Sequence, residues 1–292
     1  MELLSISLLI LSILLSSGRN LLSKSISSHA FGQKSFFLLQ GIIFFCGAII
    51  LFIIDPRALF SVSSITIIYS LIYALLLLSA QWCYTAALKS GQVSICATVY
   101  SLGFILPTLC GMILWNESLS VTKIIGIILV IPTIIFSSMR SSENTKKSRE
   151  LNFIFPLAIA MLSSGGLGIM QKLQQRSQAA SEREAFVLIA FLISASVSFI
   201  CGAVCKSNNE KLSPQKLVCA SFAGICFGAC NLLNTLLAGL LDGTVLFPSL
   251  NIGSILVSVL LSITIFEEHI TKKHVLILLL GISSILLIAL SK

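Results

Sequence analysis

Seven stretches of this chain run for 20 residues or more without a charged side chain: Ser35 to Ile54, Ala58 to Leu88, Ser90 to Asn116, Leu151 to Gln171, Ala185 to Cys205, Leu217 to Leu241 and Gly243 to Phe266. As helices rising about 1.5 Å per residue, each is long enough to cross the roughly 30 Å hydrocarbon core of a bilayer. Three shorter runs, Leu3 to Gly18, Ile124 to Met139 and Val275 to Ser291, reach that length once their polar flanks are counted. Helices are expected throughout, because a backbone amide without a partner in hydrocarbon costs several kcal/mol, and a barrel would show alternation instead of solid apolar runs. Only 10% of the residues are charged, against about a quarter in soluble domains. The expected fold class is therefore all-α integral membrane, with ten transmembrane helices. Met1 to Leu4 lacks a basic signal-peptide region, so the first run is read as a retained helix.

The one long hydrophilic break near the middle, "MRSSENTKKSRE" from Met139 to Glu150, divides the spans five and five. Three regions follow: a first five-helix block over residues 1–139, a basic linker over 140–150 and a second block over 151–292. An odd number of crossings makes the second block enter from the opposite side, as in inverted-topology repeats. At an offset of 151, the third span Ser64 to Leu88 lines up with Gln215 to Gly239, and Glu117 in "LWNESLSVTK" lines up with Glu268 in "IFEEHITKKH". A second echo, at an offset of 148, relates "GRNLLSK" from Gly18 to "GLGIMQK" from Gly166.

Ten spans in two halves, a Gly-x-Asn-x-x-x-Lys pattern closing the first helix, and a glutamate followed by Ser or Thr between helices four and five resemble the drug/metabolite transporter superfamily in its EamA-type branch. The resemblance covers about Leu3 to Leu290. It implies two inverted repeats around a central cavity and alternating access for a small organic solute. By the same resemblance Glu117 and Glu268 are the half-repeat glutamates, and Asn20 with Lys24 are the first-helix polar residues. Asn20 is answered by Gly168 in the second half, and Arg19 stands where such proteins more often carry a small or apolar residue.

Two readings of the glutamates follow from the residues themselves. In the first, the acid is a solvated turn residue and Ser120 or Thr271 caps the next helix by accepting an orphan amide. In the second, Glu117 and Glu268 are gates or latches between helices. Gly103 and Pro107 in the fourth helix and Pro248 and Gly253 in the ninth occupy roughly matching stretches, where interrupted helices would flank a binding region.

Polar groups inside apolar spans should face the bundle interior or a water-filled cavity. On that basis Arg19, Asn20, Gln81, Trp82, Tyr84, Tyr100, Asn231, Asn234 and Asn251 are the candidate solute contacts. Arg19 falls about 24 Å along a helix starting at Leu3, so it either snorkels to headgroups or serves an anionic or zwitterionic solute. All eleven acidic residues fall at span ends or in loops, which leads us to expect facilitated diffusion or exchange.

Other classes fit less well. The nine cysteines lie almost entirely inside spans and the three histidines at helix ends or loops, so neither a metal site nor a cofactor is expected. The excess of 19 Lys and Arg over 11 Asp and Glu sits in loops and flanks, as membrane-surface electrostatics requires, and calls for no nucleic acid. No converging nucleophile, acid and base is apparent, so an enzyme is not expected. The expected partners are a small-molecule solute (an amino acid, nucleobase or nucleoside, vitamin or drug-like compound) and the lipid bilayer of the plasma or inner membrane. The assembly is expected as monomer or homodimer. The rival reading is a flippase for a lipid-linked head group.

Overall fold

A computed structural model describes residues 3–27, 32–60, 62–90, 96, 99–117, 120–138, 153–205, 213–265 and 272–290. Among the described residues the regular structure is helical and no strand occurs. The α-helices in chain order are α1 (Leu3–Ser27), α2 (Gln33–Ile54), α3 (Ser64–Ser90), α4 (Ile105–Trp115), α5 (Val121–Ser138), α6 (Ile154–Arg176), α7 (Arg183–Val204), α8 (Pro214–Leu240), α9 (Gly243–Ile265) and α10 (Lys272–Leu290). Six of the described helices carry stretches long and apolar enough to cross a membrane, on α1, α2, α3, α6, α7 and α8. Shorter apolar helical stretches lie at Val99–Trp115, Val121–Phe136, Gly243–Val257 and Leu278–Ile288. The basic linker at 140–150 lies outside the described residues.

The first helix is longer than its uncharged run. Helix α1 passes through Gly18 and Arg19 and ends at Ser27. Arg19 is thus eight residues, about 12 Å, inside the helix end, rather than close to it as the uncharged run suggested.

The helices gather into two compact units, each drawing on both halves of the chain. One comprises Ser7–Leu75 and Leu173–Leu237, and is called here the Arg19 unit; the other comprises Met1–Ile6, Leu76–Lys172 and Ala238–Lys292, the Glu117 unit.

In the Arg19 unit α2 lies along α7, and small residues set how closely the backbones approach. A Cβ on Gly41 would come within 2.6 Å of the Phe199 ring, and one on Gly47 within 2.5 Å of Phe191. Glycine is likewise demanded on α8, where a Cβ on Gly228 would meet the Gly47 carbonyl at 2.5 Å. Phe44, Phe191 and Phe227, each on a different helix, fill the space between, with ring centroids 5.2–6.0 Å apart. Such tilted and edge-on arrangements match the quadrupoles of the rings.

In the Glu117 unit α5 packs along α10, and α9 packs against α4, α5 and α10. Ser284 on α10 donates its hydroxyl to the Gly126 carbonyl on α5 at 2.6 Å. Gly103 and Gly165 allow α6 to approach the start of the fourth helical segment, since a Cβ on Gly165 would lie 2.5 Å from the Gly103 carbonyl. The expected pair of helix interruptions is only half present. A 3-10 turn, Leu102–Phe104, containing Gly103, precedes α4, and Pro107 falls in the first turn of α4, where its missing N–H costs nothing. Helix α9, by contrast, runs unbroken through Pro248 and Gly253. Pro248 is in its second turn, where the ring deprives a single carbonyl, and neighbouring helices readily accommodate one such loss.

The pairings follow one pattern. The second helix of one half packs on the second of the other (α2 on α7), the fourth on the fourth (α4 on α9) and the fifth on the fifth (α5 on α10). First and third helices exchange partners: Ser12 of α1 bonds Asn234 of α8, while Ser79 of α3 bonds Ser163 of α6.

Candidate functional site

Two polar clusters stand out, one in each unit. In the Arg19 unit the cluster forms because α8 carries Phe227, Cys230, Asn231 and Asn234 at positions i, i+3, i+4 and i+7, a single helical face. Helix α1 presents Ser12 and Arg19, seven residues apart, to that face. Ser12 donates to Asn234 Oδ1 at 2.5 Å and lies 3.5 Å from the Cys230 thiol. Asn231 donates to the Phe227 carbonyl at 2.8 Å and accepts the Tyr73 hydroxyl of α3 at 2.6 Å. Above Phe227 sits Arg19, its guanidinium carbon 3.6 Å from the ring centroid. This stack places the charge against a ring that is itself buried. Its neighbour Asn20 is exposed.

The second cluster is built at a helix end. Helix α4 terminates at Trp115, and Asn116 adopts φ 51°, the left-handed conformation that asparagine tolerates better than most residues. The Glu117 amide then donates back to the Gly111 carbonyl at 3.2 Å, closing the helix end and turning the glutamate inward. Its two carboxylate oxygens receive the amides of Gly243 and Thr244 at 2.9 Å each, the first turn of α9. Lys172, near the end of α6, approaches Oε1 at 3.0 Å and also donates to the Leu241 carbonyl at 2.6 Å. Glu117 is only 8% exposed and Lys172 only 2%. A carboxylate on orphan amides at a helix N-terminus, reinforced by an ammonium, satisfies the dipole and the charge together. Burial alone would push the Glu117 carboxyl up, but the two amides and the Lys172 ammonium outweigh it and hold the group below the usual glutamate range.

The turn itself is capped locally. Ser120 accepts the Lys123 amide at 3.3 Å, as the turn-and-cap expectation requires. Glu117, however, is not a solvated turn residue; it is buried and caps a different helix, 126 positions away in sequence. Lys123, nearly buried, lies 3.7 Å from the half-exposed Asp242 at the edge of the cluster. Glu268 lies outside the described residues.

The remaining candidates all belong to the Glu117 unit. Tyr84 and Tyr100 pack ring on ring, 4.7 Å between centroids, and Tyr84 lies against a small core of Ala87, Cys96 and Leu157. Asn251 donates to the Ser101 carbonyl at 3.2 Å, serving the turn before α4. Gln81 and Trp82 are half-buried on α3. Sequence reasoning passed over Ser12 and Tyr73, took Cys230 for a packing thiol, and noted Lys172 without its partner. The signal for Ser12 was its seven-residue spacing from Arg19. A third group was also passed over: Glu182, before α7, accepts the Ser63 amide and hydroxyl at 2.9 Å each and so caps the start of α3.

Among the described residues no cluster of His, Cys, Asp and Glu is arranged to hold a metal ion.

Comparison with known proteins places this geometry. A solved structure described only as "Crystal structure of protein" is similar to the chain with a TM-score of 0.80 and 15% identity, over 98% of each chain. No curated protein matches the sequence. The family model described as "Sugar transport protein" matches residues 21–291. With nearly the whole length covered and apolar helices throughout, the chain belongs to the sugar transport protein family and is a multi-pass membrane transporter.

Proposed function

We propose that this protein carries a sugar across a plasma or inner membrane by alternating access between two inverted five-helix repeats, making ten crossings in all. The observation that carries the reading is the neutral hydrogen-bonding face of α8. Amide and hydroxyl groups of Asn231, Asn234, Ser12 and Tyr73 meet within the apolar span, and Phe227 adds an aromatic face. Hydroxyl-rich solutes need such groups, and a helix surrounded by lipid does not.

The like-with-like pairing of helices supports the repeats, because a two-fold axis relating two halves brings corresponding elements together. Ten alternate crossings would put the α4–α5, α6–α7 and α8–α9 connections on one side of the membrane. That fits the meeting of Glu117, Lys172 and Gly243. The wider kinship we favour is with the EamA-type branch of the drug/metabolite transporters.

Uptake of radiolabelled monosaccharides into proteoliposomes tests the function. Saturable uptake that falls at least about tenfold in Asn234→Ala, as expected when a buried polar partner of the solute is lost, is the anticipated result. Absence of uptake or counterflow for every sugar offered, together with thermal stabilisation by a lipid-linked head group, would replace the carrier with a flippase.

A further inference from the structure

A neutral sugar has no use for a permanent positive charge, yet Arg19 places one beside the amides of α8. That charge is held by a ring. Phe227 is the central residue of α8, thirteen positions from Pro214 and thirteen from Leu240, or about 20 Å from either end. The guanidinium carbon is 3.6 Å above that buried ring, and Arg19 itself falls within the apolar stretch Leu3–Leu22 of α1. Charges within an apolar stretch are costly and, where a protein keeps them, they mark solute paths.

The surroundings narrow the chemistry. Stacking on a buried aromatic ring holds a guanidinium in place, and its rigid fork of five donors matches the paired oxygens of a carboxylate or phosphate. Beside it on the same helix faces lie Ser12, Cys230 and Asn234, which are neutral and suited to hydroxyls. One end of the cluster therefore recognises an anion and the other a polyol.

We infer that the carried sugar is anionic, bearing a carboxylate or a phosphate, and that Arg19 is the residue that selects it. This rests on the reading of the chain as a sugar carrier. Arg19→Gln removes the charge while keeping hydrogen-bonding capacity; Arg19→Lys keeps the charge without the fork.

The experiment measures initial uptake into phosphatidylcholine proteoliposomes for matched sets: D-glucose, D-glucuronate and D-glucose 6-phosphate; D-galactose and D-galacturonate; D-ribose and D-ribose 5-phosphate. In the unmodified protein at least one anionic member is expected to exceed its neutral counterpart by about tenfold or more, the discrimination one charge-assisted hydrogen bond supplies. Arg19→Gln should bring that ratio close to unity, whatever the absolute rate of the neutral member, and Arg19→Lys should fall between. Equal rates within every set, or a ratio that Arg19→Gln leaves unchanged, overturns the role of Arg19 while the carrier reading stands. Failure of every sugar, charged or neutral, overturns both. Should Arg19→Gln not fold, the unmodified protein in detergent decides: stabilisation by an anionic sugar at concentrations where its neutral counterpart gives none supports the inference, and equal effects overturn it. If uptake requires anionic phospholipid and Arg19→Gln depresses charged and neutral sugars alike, the guanidinium serves a lipid phosphate and the inference fails.

Discussion

Lys172 Nζ lies 3.0 Å from Glu117 Oε1, and the same carboxylate holds the first two amides of α9. Three separate stretches of chain, the α4–α5 connection, the end of α6 and the start of α9, are thereby fastened to a single side chain. Removing one member of a buried ion pair leaves the other charge without compensation, typically at a cost of about 3–5 kcal/mol. Glu117→Ala should fall in that range, whereas Lys123→Ala should cost about 1 kcal/mol or less, because its partner Asp242 is half exposed and 3.7 Å away. Unfolding midpoints of the two variants in detergent check this, and equal losses would show that the Glu117 site is not special.

The same carboxyl makes the fold sensitive to acid. Its folded-state pKa is lowered, so its contribution is complete above the ordinary glutamate value of about 4.3 and is lost as pH falls through the lower folded value. The melting temperature is expected to hold from pH 7 to about 5 and to drop below about 4. In Glu117→Gln that acid-side drop should be shallower.

Gly111 leaves room for the carboxylate. A Cβ there would lie 2.6 Å from Glu117 Oε2, and the ion pair prevents the side chain from moving aside. Gly111→Ala should cost about 1–3 kcal/mol in the native background, as overpacking does. In a Glu117→Ala background the space is vacated and the same substitution should cost much less. A double-mutant cycle reads the coupling, and strict additivity would mean that Gly111 matters for another reason.

In the Arg19 unit Tyr73 is fully buried and donates its hydroxyl to Asn231. Tyr73→Phe keeps the ring against Phe186 and leaves the amide oxygen with one partner fewer. About 1 kcal/mol of stability should be lost. Sugar uptake should fall further than stability does if Asn231 meets the solute, so a variant with normal uptake would remove Asn231 from the binding face.

Gly224 allows α8 to touch α2 at the Ile43 carbonyl. A methyl group there meets backbone, which cannot swing away as a side chain can. Gly224→Ala should lower the melting point clearly, while an alanine at Gly18, which faces open space, should leave it unchanged or raise it. Parallel melting curves of the two variants make the comparison.

Much of the architecture was legible in the residues. The long uncharged runs announce membrane helices, because hydrocarbon leaves an unsatisfied backbone no alternative, and Ser120 before the apolar run of α5 announces a cap. The repeated glutamate marked a place worth watching. Arg19, Asn231 and Asn234 were conspicuous as polar residues inside apolar spans, and they do come together in one unit. Lys172 was visible only as the end of a weak echo, and Ser12, Tyr73 and Glu182 looked like ordinary polar residues.

What the chain by itself determined is local: which segments are helical, where they end, and that the protein lives in a membrane. These depend on side-chain hydrophobicity and backbone satisfaction over windows of a few turns. Which helix each polar group meets was decided only in the tertiary structure. Glu117 reaches an amide 126 positions ahead, and Ser12 an asparagine 222 positions ahead. Such pairings depend on how helices cross, through glycine contacts and ring packing that no short window records. The partner of Arg19 belongs to the same category, since its place on α1 was readable from the chain, while only packing against α8 shows that the guanidinium stacks on Phe227.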